Sequence, residues 1–155
     1  MSGSVDLYHT IAAALLINMS IRFIRASSIL QRNTKVYGPN NALTDDSSCW
    51  NSEGNTETSH WFRLDFGRLV RPMSLGLQFQ AGFCAQEGKV EYRLNENDDW
   101  KVWNDQVEWE DEHEMQTLDL DGLPPCTALR IVMEECTDFY GRVILYQVQV
   151  FGHEN

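Results

Sequence analysis

Hydrophobic and polar residues alternate with a period of two along most of the chain after residue 20. In the clearest run, 61–66, Phe62, Leu64 and Phe66 share one face, while Arg63 and Asp65 share the other. Alternation of this kind is typical of strands that are buried on one face only. The later runs predict these inward-facing residues: Leu75, Leu77, Phe79, Val90, Tyr92, Leu94, Leu118, Leu120, Leu129, Ile131, Met133, Ile144, Tyr146, Val148 and Val150.

Turn-forming residues separate these runs, as in the Gly- and Asn-rich stretch 37–41, the polar stretch 95–99 and the Pro-containing stretch 121–125. No long amphipathic helix interrupts them. We therefore predict an all-β fold, an antiparallel β-sandwich of the jelly-roll type with about eight short strands in two packed sheets.

The first residues of the chain show a different pattern. Asp6 can cap a helix in which Leu7, Ile11 and Leu15 share a face, so residues 1–19 are predicted to be a short helical extension of a β-sandwich domain at 20–155. The apolar run 11–17 is too short to span a bilayer and lacks the basic flank of a signal peptide. We expect no membrane partner.

Charge is concentrated in one segment. The 155 residues carry a net charge of −11, of which −8 falls between residues 95 and 114. A chain this acidic repels phosphate backbones, so direct nucleic-acid binding is not expected. Trp100, Trp103 and Trp109 lie among these carboxylates. The segment can either capture a basic partner surface or be a solvated hairpin whose Trp residues cover the sandwich, and we favour the hairpin.

The cysteine and histidine pattern argues against a metal site or an enzyme. The four cysteines form no C-x-x-C pair and have no histidine at zinc-ligand spacing. They can form two disulfides in a secreted protein, but without a signal peptide we expect free thiols and an intracellular location, in the nucleus or the cytoplasm. The histidines are scattered and no nucleophile motif is present, so we predict a protein that is not an enzyme.

The stretch 138–142 is the main candidate binding site. Asp138, Phe139, Tyr140 and Arg142 lie between two predicted strands, at what we take to be a hairpin tip, where small polar residues are more usual. Tyr and Arg dominate binding hot spots. Alternatively, Phe139 folds under as a plug and Asp138 pairs with Arg142, and the two interpretations carry equal weight.

Two further groups are candidates. Gln78, Gln80 and Phe83 would form a polar groove with an aromatic wall if their loop reaches the same end of the sandwich as Tyr140. Trp50 and Asn51 can offer an amphipathic surface and an amide to a partner, or can seal the sandwich and satisfy loop backbone groups. We favour the structural role for this pair.

Several motifs, in order, resemble the discoidin family, the C-type module of coagulation factors V and VIII in the galactose-binding-like superfamily. They are Arg25-Ala26-Ser27-Ser28, Leu43-Thr44-Asp45-Asp46, Cys49-Trp50-Asn51-Ser52, Val90-Glu91-Tyr92-Arg93, and the closing Tyr146-Gln147-Val148-Gln149-Val150-Phe151-Gly152. The sequence more closely resembles a small intracellular branch of this family, the nuclear-receptor-associated proteins. The motifs that carry this resemblance are Gln31-Arg32-Asn33-Thr34, Gln78-Phe79-Gln80-Ala81-Gly82-Phe83 and Thr137-Asp138-Phe139-Tyr140-Gly141-Arg142-Val143.

The resemblance implies a protein-interaction module, namely a nuclear-receptor-associated cofactor that represses transcription. The alternative is a lectin-like domain that binds carbohydrate at the 138–142 loop. Some members of the superfamily hold a structural Ca²⁺, which would here involve Asp45 and Asp46. Gln147 stands where those members have an acidic residue, which weakens that expectation, and we expect no other cofactor.

Overall fold

The computed structural model describes residues 17–54 and 59–155, and within them nine strands account for most of the regular structure. The strands are β1 (Ile17–Asn18), β2 (Phe23–Ala26), β3 (Trp50–Asn51), β4 (His60–Phe79), β5 (Ala85–Arg93), β6 (Lys101–Glu108), β7 (Gln116–Asp119), β8 (Cys126–Cys136) and β9 (Ile144–Glu154). Between β2 and β3 lie the four-residue helix α1 (Thr34–Tyr37) and 3₁₀ turns at Leu30–Arg32 and Pro39–Leu43.

Hydrogen bonds join all nine strands into one sheet, and the long strand β4 divides it into the two antiparallel sheets of the sandwich. Its first part pairs with β2 and β8, and β8 continues to β5 and β6. Its second part pairs with β7 and β9, and β9 also pairs with β1 and β3. The pairing register shifts between Asp65 and Val70, where Gly67 has a φ of 72°. One long strand thus passes from one sheet to the other.

The core between the sheets confirms the predicted β-sandwich. Phe62, Leu64, Leu77, Phe79 and Ile131 are completely buried, as the alternation requires. The runs 61–66 and 75–80 were expected as separate strands, and this was wrong, because β4 continues through the bend at residues 66–70.

Two predicted inward-facing residues are not in the core. Phe79 pairs with Leu145 and Gln78 with Gln147, so Tyr146 is the extra residue of a β-bulge in β9, and Leu145 takes the buried position. Leu94 follows the end of β5 and is 41% exposed. Both differences arise where pairing with a neighbouring strand changes or ends.

The N-terminal helix predicted from Asp6 lies outside the described residues. Strand β1 pairs with β9, the Met19 amide donates to the Val150 carbonyl, and Met19 is buried in the core. Residues 17–19 therefore pack with the sandwich, while the boundary at residue 20 stays a prediction. No helix within the described ranges is long and apolar enough to cross a bilayer.

Candidate binding surface

Backbone hydrogen bonds bring the 80–83 and 137–143 loops together at one end of the sandwich. The Ile144 amide donates to the Phe83 carbonyl over 3.1 Å, and the Thr137 amide donates to the Cys84 carbonyl over 2.9 Å. A third segment joins them at Ser52, whose hydroxyl accepts from the Val143 amide. We call Phe83, Asp138, Phe139, Tyr140 and Arg142 the end-loop surface.

The 137–143 loop connects two different sheets. Strand β8 pairs with β4 and β5, whereas β9 pairs with β4, β1 and β3, and β8 does not pair with β9 among the described residues. The expectation of a hairpin tip was wrong for this reason. The loop is a crossover between the layers, held by its own side chains and by the neighbouring loops.

An ion pair at the base of this loop fixes its shape. The Arg142 Nε donates to Asp138 Oδ2 over 2.8 Å, and the Arg142 amide donates to the same oxygen over 3.1 Å. The Arg142 side chain lowers the pKa of Asp138, chiefly by this hydrogen bond. The predicted Asp138–Arg142 pairing is therefore present.

Aromatic rings surround the guanidinium and project from the loop. The Arg142 guanidinium lies 5.2 Å from the Phe83 ring centroid and 5.5 Å from that of Tyr140. Phe139 and Tyr140 meet edge to face and are 87% and 64% exposed. The alternative in which Phe139 plugs the sandwich was wrong. The loop presents two aromatic side chains to solvent, which is unusual unless a partner covers them.

His60, the first residue of β4, anchors this loop from below. Its buried Nε2 donates to the Gly141 carbonyl over 2.6 Å. Burial lowers the pKa of His60, partly offset by the bond to Gly141. Gly141 has a φ of 73°, which glycine adopts without strain, so the turn can pass close over the histidine.

The acidic segment borders the end-loop surface on its Gln80 side. Asp111 accepts a 2.7 Å hydrogen bond from the Gly82 amide, and His113 stacks edge to face on Tyr146, whose hydroxyl donates to Gln80. Gln78 lies 3.4 Å from the His113 ring nitrogen, outside the aromatic tip. The loop of Phe83 thus reaches the same end as Tyr140, while Gln78 and Gln80 belong to the acidic flank.

Cys84 lies beneath these loops and is poorly suited to nucleophilic chemistry. Burial, and next Asp111, raise the pKa of the Cys84 thiol to about 12. Burial likewise raises the pKa of Cys126 to about 12 and that of Cys136 to about 11. All four cysteines are free thiols. Thiols with such pKa values stay protonated at neutral pH, so they do not attack substrates readily.

Trp50 and Asn51 have little surface to offer a partner. Trp50 is completely buried, stacks edge to face on Phe62 and donates its indole N–H to the Ser28 carbonyl over 2.9 Å. Asn51 is 7% exposed. Trp50 therefore seals the sandwich, whereas the Asn51 Oδ1 has no hydrogen-bond partner within the described part of the chain, so its expected bonding to loop backbone groups is not seen for this atom.

The aspartates at the suggested calcium position are hydrogen-bonded to neighbouring side chains, and calcium binding stays a prediction. Asp45 accepts a hydrogen bond from the Gln147 amide nitrogen over 3.1 Å. The Asp46 carboxylate accepts hydrogen bonds from the Thr44 hydroxyl and the Ser48 backbone amide. Within residues 17–54 and 59–155, no group of three or more His, Cys, Asp or Glu side chains comes together as a metal site.

The acidic hairpin covers the sandwich, as favoured from the sequence. Trp109 is 6% exposed and stacks edge to face on Phe79, and Trp103 packs against the core. Trp100 instead lies over the guanidiniums of Arg93 and Arg130, on the outer face of the sheet. The sequence did not indicate two features: the hydrogen bond from His60 to the loop, and the cluster of arginines around Trp100. Each joins residues that are far apart in the chain.

The geometry defines a class: a β-sandwich whose surface loops at one end carry the exposed side chains. The model of the F5/8 type C domain family matches residues 23–143. The chain belongs to the F5/8 type C domain family, as the motifs indicated.

Similar proteins share either the sequence or the fold of this chain. The nuclear receptor 2C2-associated protein of Bos taurus is 34% identical over 133 residues, an alignment that covers 83% of this chain and 89% of the relative. The F5/8 type C domain from a Bacteroides fragilis protein superposes with a TM-score of 0.73 at 12% identity, covering 86% and 92% of the two chains. Chitosan-binding module 1 from a Paenibacillus sp. IK-5 chitosanase/glucanase gives 0.72 at 15% identity, covering 88% and 99%.

Proposed function

We propose that the chain is a non-enzymatic protein-interaction module that binds a nuclear receptor through the end-loop surface and acts as a transcriptional cofactor, a repressor, in the nucleus or cytoplasm. The observation that carries the binding role is the exposure of Phe139 and Tyr140, 87% and 64%, on a loop whose shape is fixed. The receptor as partner is supported by the relatives named nuclear receptor 2C2-associated protein.

The exposed rings suit a protein partner because they are already held in place. The Asp138–Arg142 ion pair and the His60–Gly141 hydrogen bond fix both sides of the loop before binding. Less conformational entropy is then lost when a partner covers the rings, which favours affinity. Aromatic residues beside an arginine are the composition in which hot spots are most common.

The acidic flank supports a partner with a basic rim. Asp111 and its neighbours Glu110, Glu112 and Glu114 are exposed beside the loop of Phe83. Opposite charges across an interface raise the association rate, and salt weakens this effect. We therefore expect the association rate, more than the dissociation rate, to fall as salt is added.

The test is direct binding of purified nuclear receptor 2C2 to the immobilised full chain, measured by surface plasmon resonance. Tyr140→Ala and Phe139→Ala should each weaken binding by roughly tenfold or more, as expected for hot-spot residues. Val102→Ala is the matched control, because Val102 is an exposed apolar residue, 52% exposed, on β6. Unchanged affinity in both loop variants, or no binding by the parent chain, would contradict the proposal.

Carbohydrate binding is the second candidate, supported by the exposed Tyr140 ring beside the Arg142 guanidinium at 5.5 Å. Sugar faces stack on aromatic rings, and a guanidinium can donate to hydroxyls. A glycan array with the parent chain and Tyr140→Ala separates the two functions. Saturable glycan binding that is lost in the variant, with no receptor binding, would favour carbohydrate.

A further inference from the structure

The outer face of the β2–β4–β8–β5 sheet carries several arginines close to one another. Arg25 on β2 and Arg63 on β4 are directly opposite each other in the antiparallel register. Like charges at directly opposite positions repel, which destabilises a sheet unless negative charge compensates. Arg63 is compensated by Asp65 at 2.7 Å, whereas Arg25 is exposed and has no ion-pair or hydrogen-bond partner among the described side chains.

More positive charge is held beside this pair. Trp100 lies over the guanidiniums of Arg93 and Arg130, at 4.5 and 4.7 Å, and 5.8 Å from that of Arg63. Arg130 is paired with Glu91. Arg93 is 8% exposed, and its Nε has no hydrogen-bond partner within the described part of the chain.

The charge of these arginines is not fully neutralised by the described residues. Burial, and next the charge of Arg63, lower the pKa of Arg93. Asp65 lies 3.9 Å from the Arg93 Nη2 and is already bonded to Arg63. Asp65 therefore serves two guanidiniums, Glu96 acts on Arg93 through its charge, and Arg25 has no ion-pair partner among the described residues. The face thus carries more arginines than carboxylates, on a chain of net charge −11.

A pocket of about 400 Å³ opens next to the arginine pair and has both charged and apolar walls. Arg22, Arg25 and Arg63 line it, together with the carboxylates of Asp65 and Glu96. Phe23 and Leu94, which also line it, are 54% and 41% exposed. Arg22 lies 5.1 Å over the Phe23 ring, so basic and apolar surface are in contact.

We propose that this face is a second binding site, which takes an acidic peptide segment of a partner protein. Its residues are Arg22, Phe23, Arg25, Arg63 and Leu94. Carboxylates of the peptide bind the arginines, and an apolar side chain of the peptide packs against Phe23 and Leu94. Guanidiniums bind carboxylates by paired hydrogen bonds, and Arg25, which has no partner among the described side chains, is placed to do so. A bound carboxylate removes the repulsion between Arg25 and Arg63.

The apolar wall distinguishes a peptide from a small anion. Inorganic phosphate would use only the guanidiniums and leave Phe23 and Leu94 exposed to water. A peptide with an apolar residue next to its carboxylates covers both, and apolar burial adds to the affinity. The site lies on the sheet face and shares no residue with the end-loop surface, so it can be tested apart from the proposed receptor binding.

The experiment measures fluorescence anisotropy of a fluorescein-labelled peptide in which leucines alternate with pairs of glutamates, titrated with the full chain. Arg25→Glu should weaken binding at least tenfold, since it turns an attraction into a repulsion. Phe23→Ala should weaken it several-fold. Arg71→Glu is the matched control, because Arg71 is an exposed arginine outside this face, and Tyr140→Ala should have no effect.

Three outcomes would overturn the proposal. Affinity that is the same in Arg25→Glu and Arg71→Glu would show that general charge, and not this face, attracts the peptide. Competition by inorganic phosphate with no effect of Phe23→Ala would indicate a small-anion site. An absence of saturable binding by the parent chain, at low ionic strength and with circular dichroism showing the chain folded, would exclude an acidic-peptide site.

Discussion

Replacing His60 tests how the end loop is held in place. The histidine is buried, and its Nε2 donates to the Gly141 carbonyl over 2.6 Å. In His60→Leu the carbonyl of Gly141, itself a buried residue, loses this donor. Leaving a buried carbonyl unpaired costs about 1–3 kcal/mol, and we expect the free energy of unfolding to fall by that amount.

The same histidine should make stability depend on pH. Burial lowers the pKa of His60 in the folded chain, so below about 6.5, the usual histidine pKa, the unfolded chain binds the extra proton first. Stability from this group is therefore complete above that pH and falls as the pH is lowered. The loss between pH 6.5 and 5 is at most about 2 kcal/mol, at about 1.4 kcal/mol per pH unit.

The assay is urea unfolding at about pH 7.5 and about pH 5 for the parent chain, His60→Gln and His153→Gln, with the usual His pKa between the two conditions. Carboxylates contribute equally in all three, so the difference between the first two isolates His60. His153→Gln should behave like the parent chain, since His153 makes no side-chain hydrogen bond to the described residues. An equal loss of stability in parent and His60→Gln would refute this account of the loop anchor.

Four other substitutions give further tests, each measured by thermal or urea unfolding. Phe139→Ala and Tyr140→Ala should change the free energy of unfolding by less than about 1 kcal/mol, as most surface changes do, and a larger loss would mean that the rings support the fold. Trp50→Ala should cost about 3–5 kcal/mol, since it removes a buried ring, and a small change would contradict its role in the core. Asp138→Asn should cost less than about 1 kcal/mol at neutral pH. Because the folded pKa of Asp138 is lowered, its contribution exists above its usual pKa and is lost in acid, so parent and variant should converge there.

The alternation of apolar residues predicted much of the sandwich because inward-facing positions are set locally. Phe62 and Leu64 are buried for the reason that their spacing indicates: successive side chains of a strand point to opposite faces. Tyr146 departs from the pattern because its bulge depends on pairing with Gln78 and Phe79, which lie far away in the chain. Local periodicity does not encode such register shifts.

The sequence predicted the exposed 138–142 loop, but not the contacts that hold this loop in place. Phe139, Tyr140 and Arg142 stand out as adjacent residues of an unusual turn, and two of them are strongly exposed. The hydrogen bond from His60 to Gly141 joins positions 81 residues apart, so no local signal marks it. The arginine face was missed for the same reason, since its residues come from separate strands.

The central claim is that a partner covers the end-loop surface, and hydrogen–deuterium exchange of the chain with and without bound nuclear receptor 2C2 tests it most directly. Amides of 80–84 and 137–143 should exchange more slowly in the complex, while those of β6 (Lys101–Glu108) should be unchanged. Protection that is confined to β6 or to other surfaces, with the 137–143 loop exchanging as in the free chain, would contradict the claim.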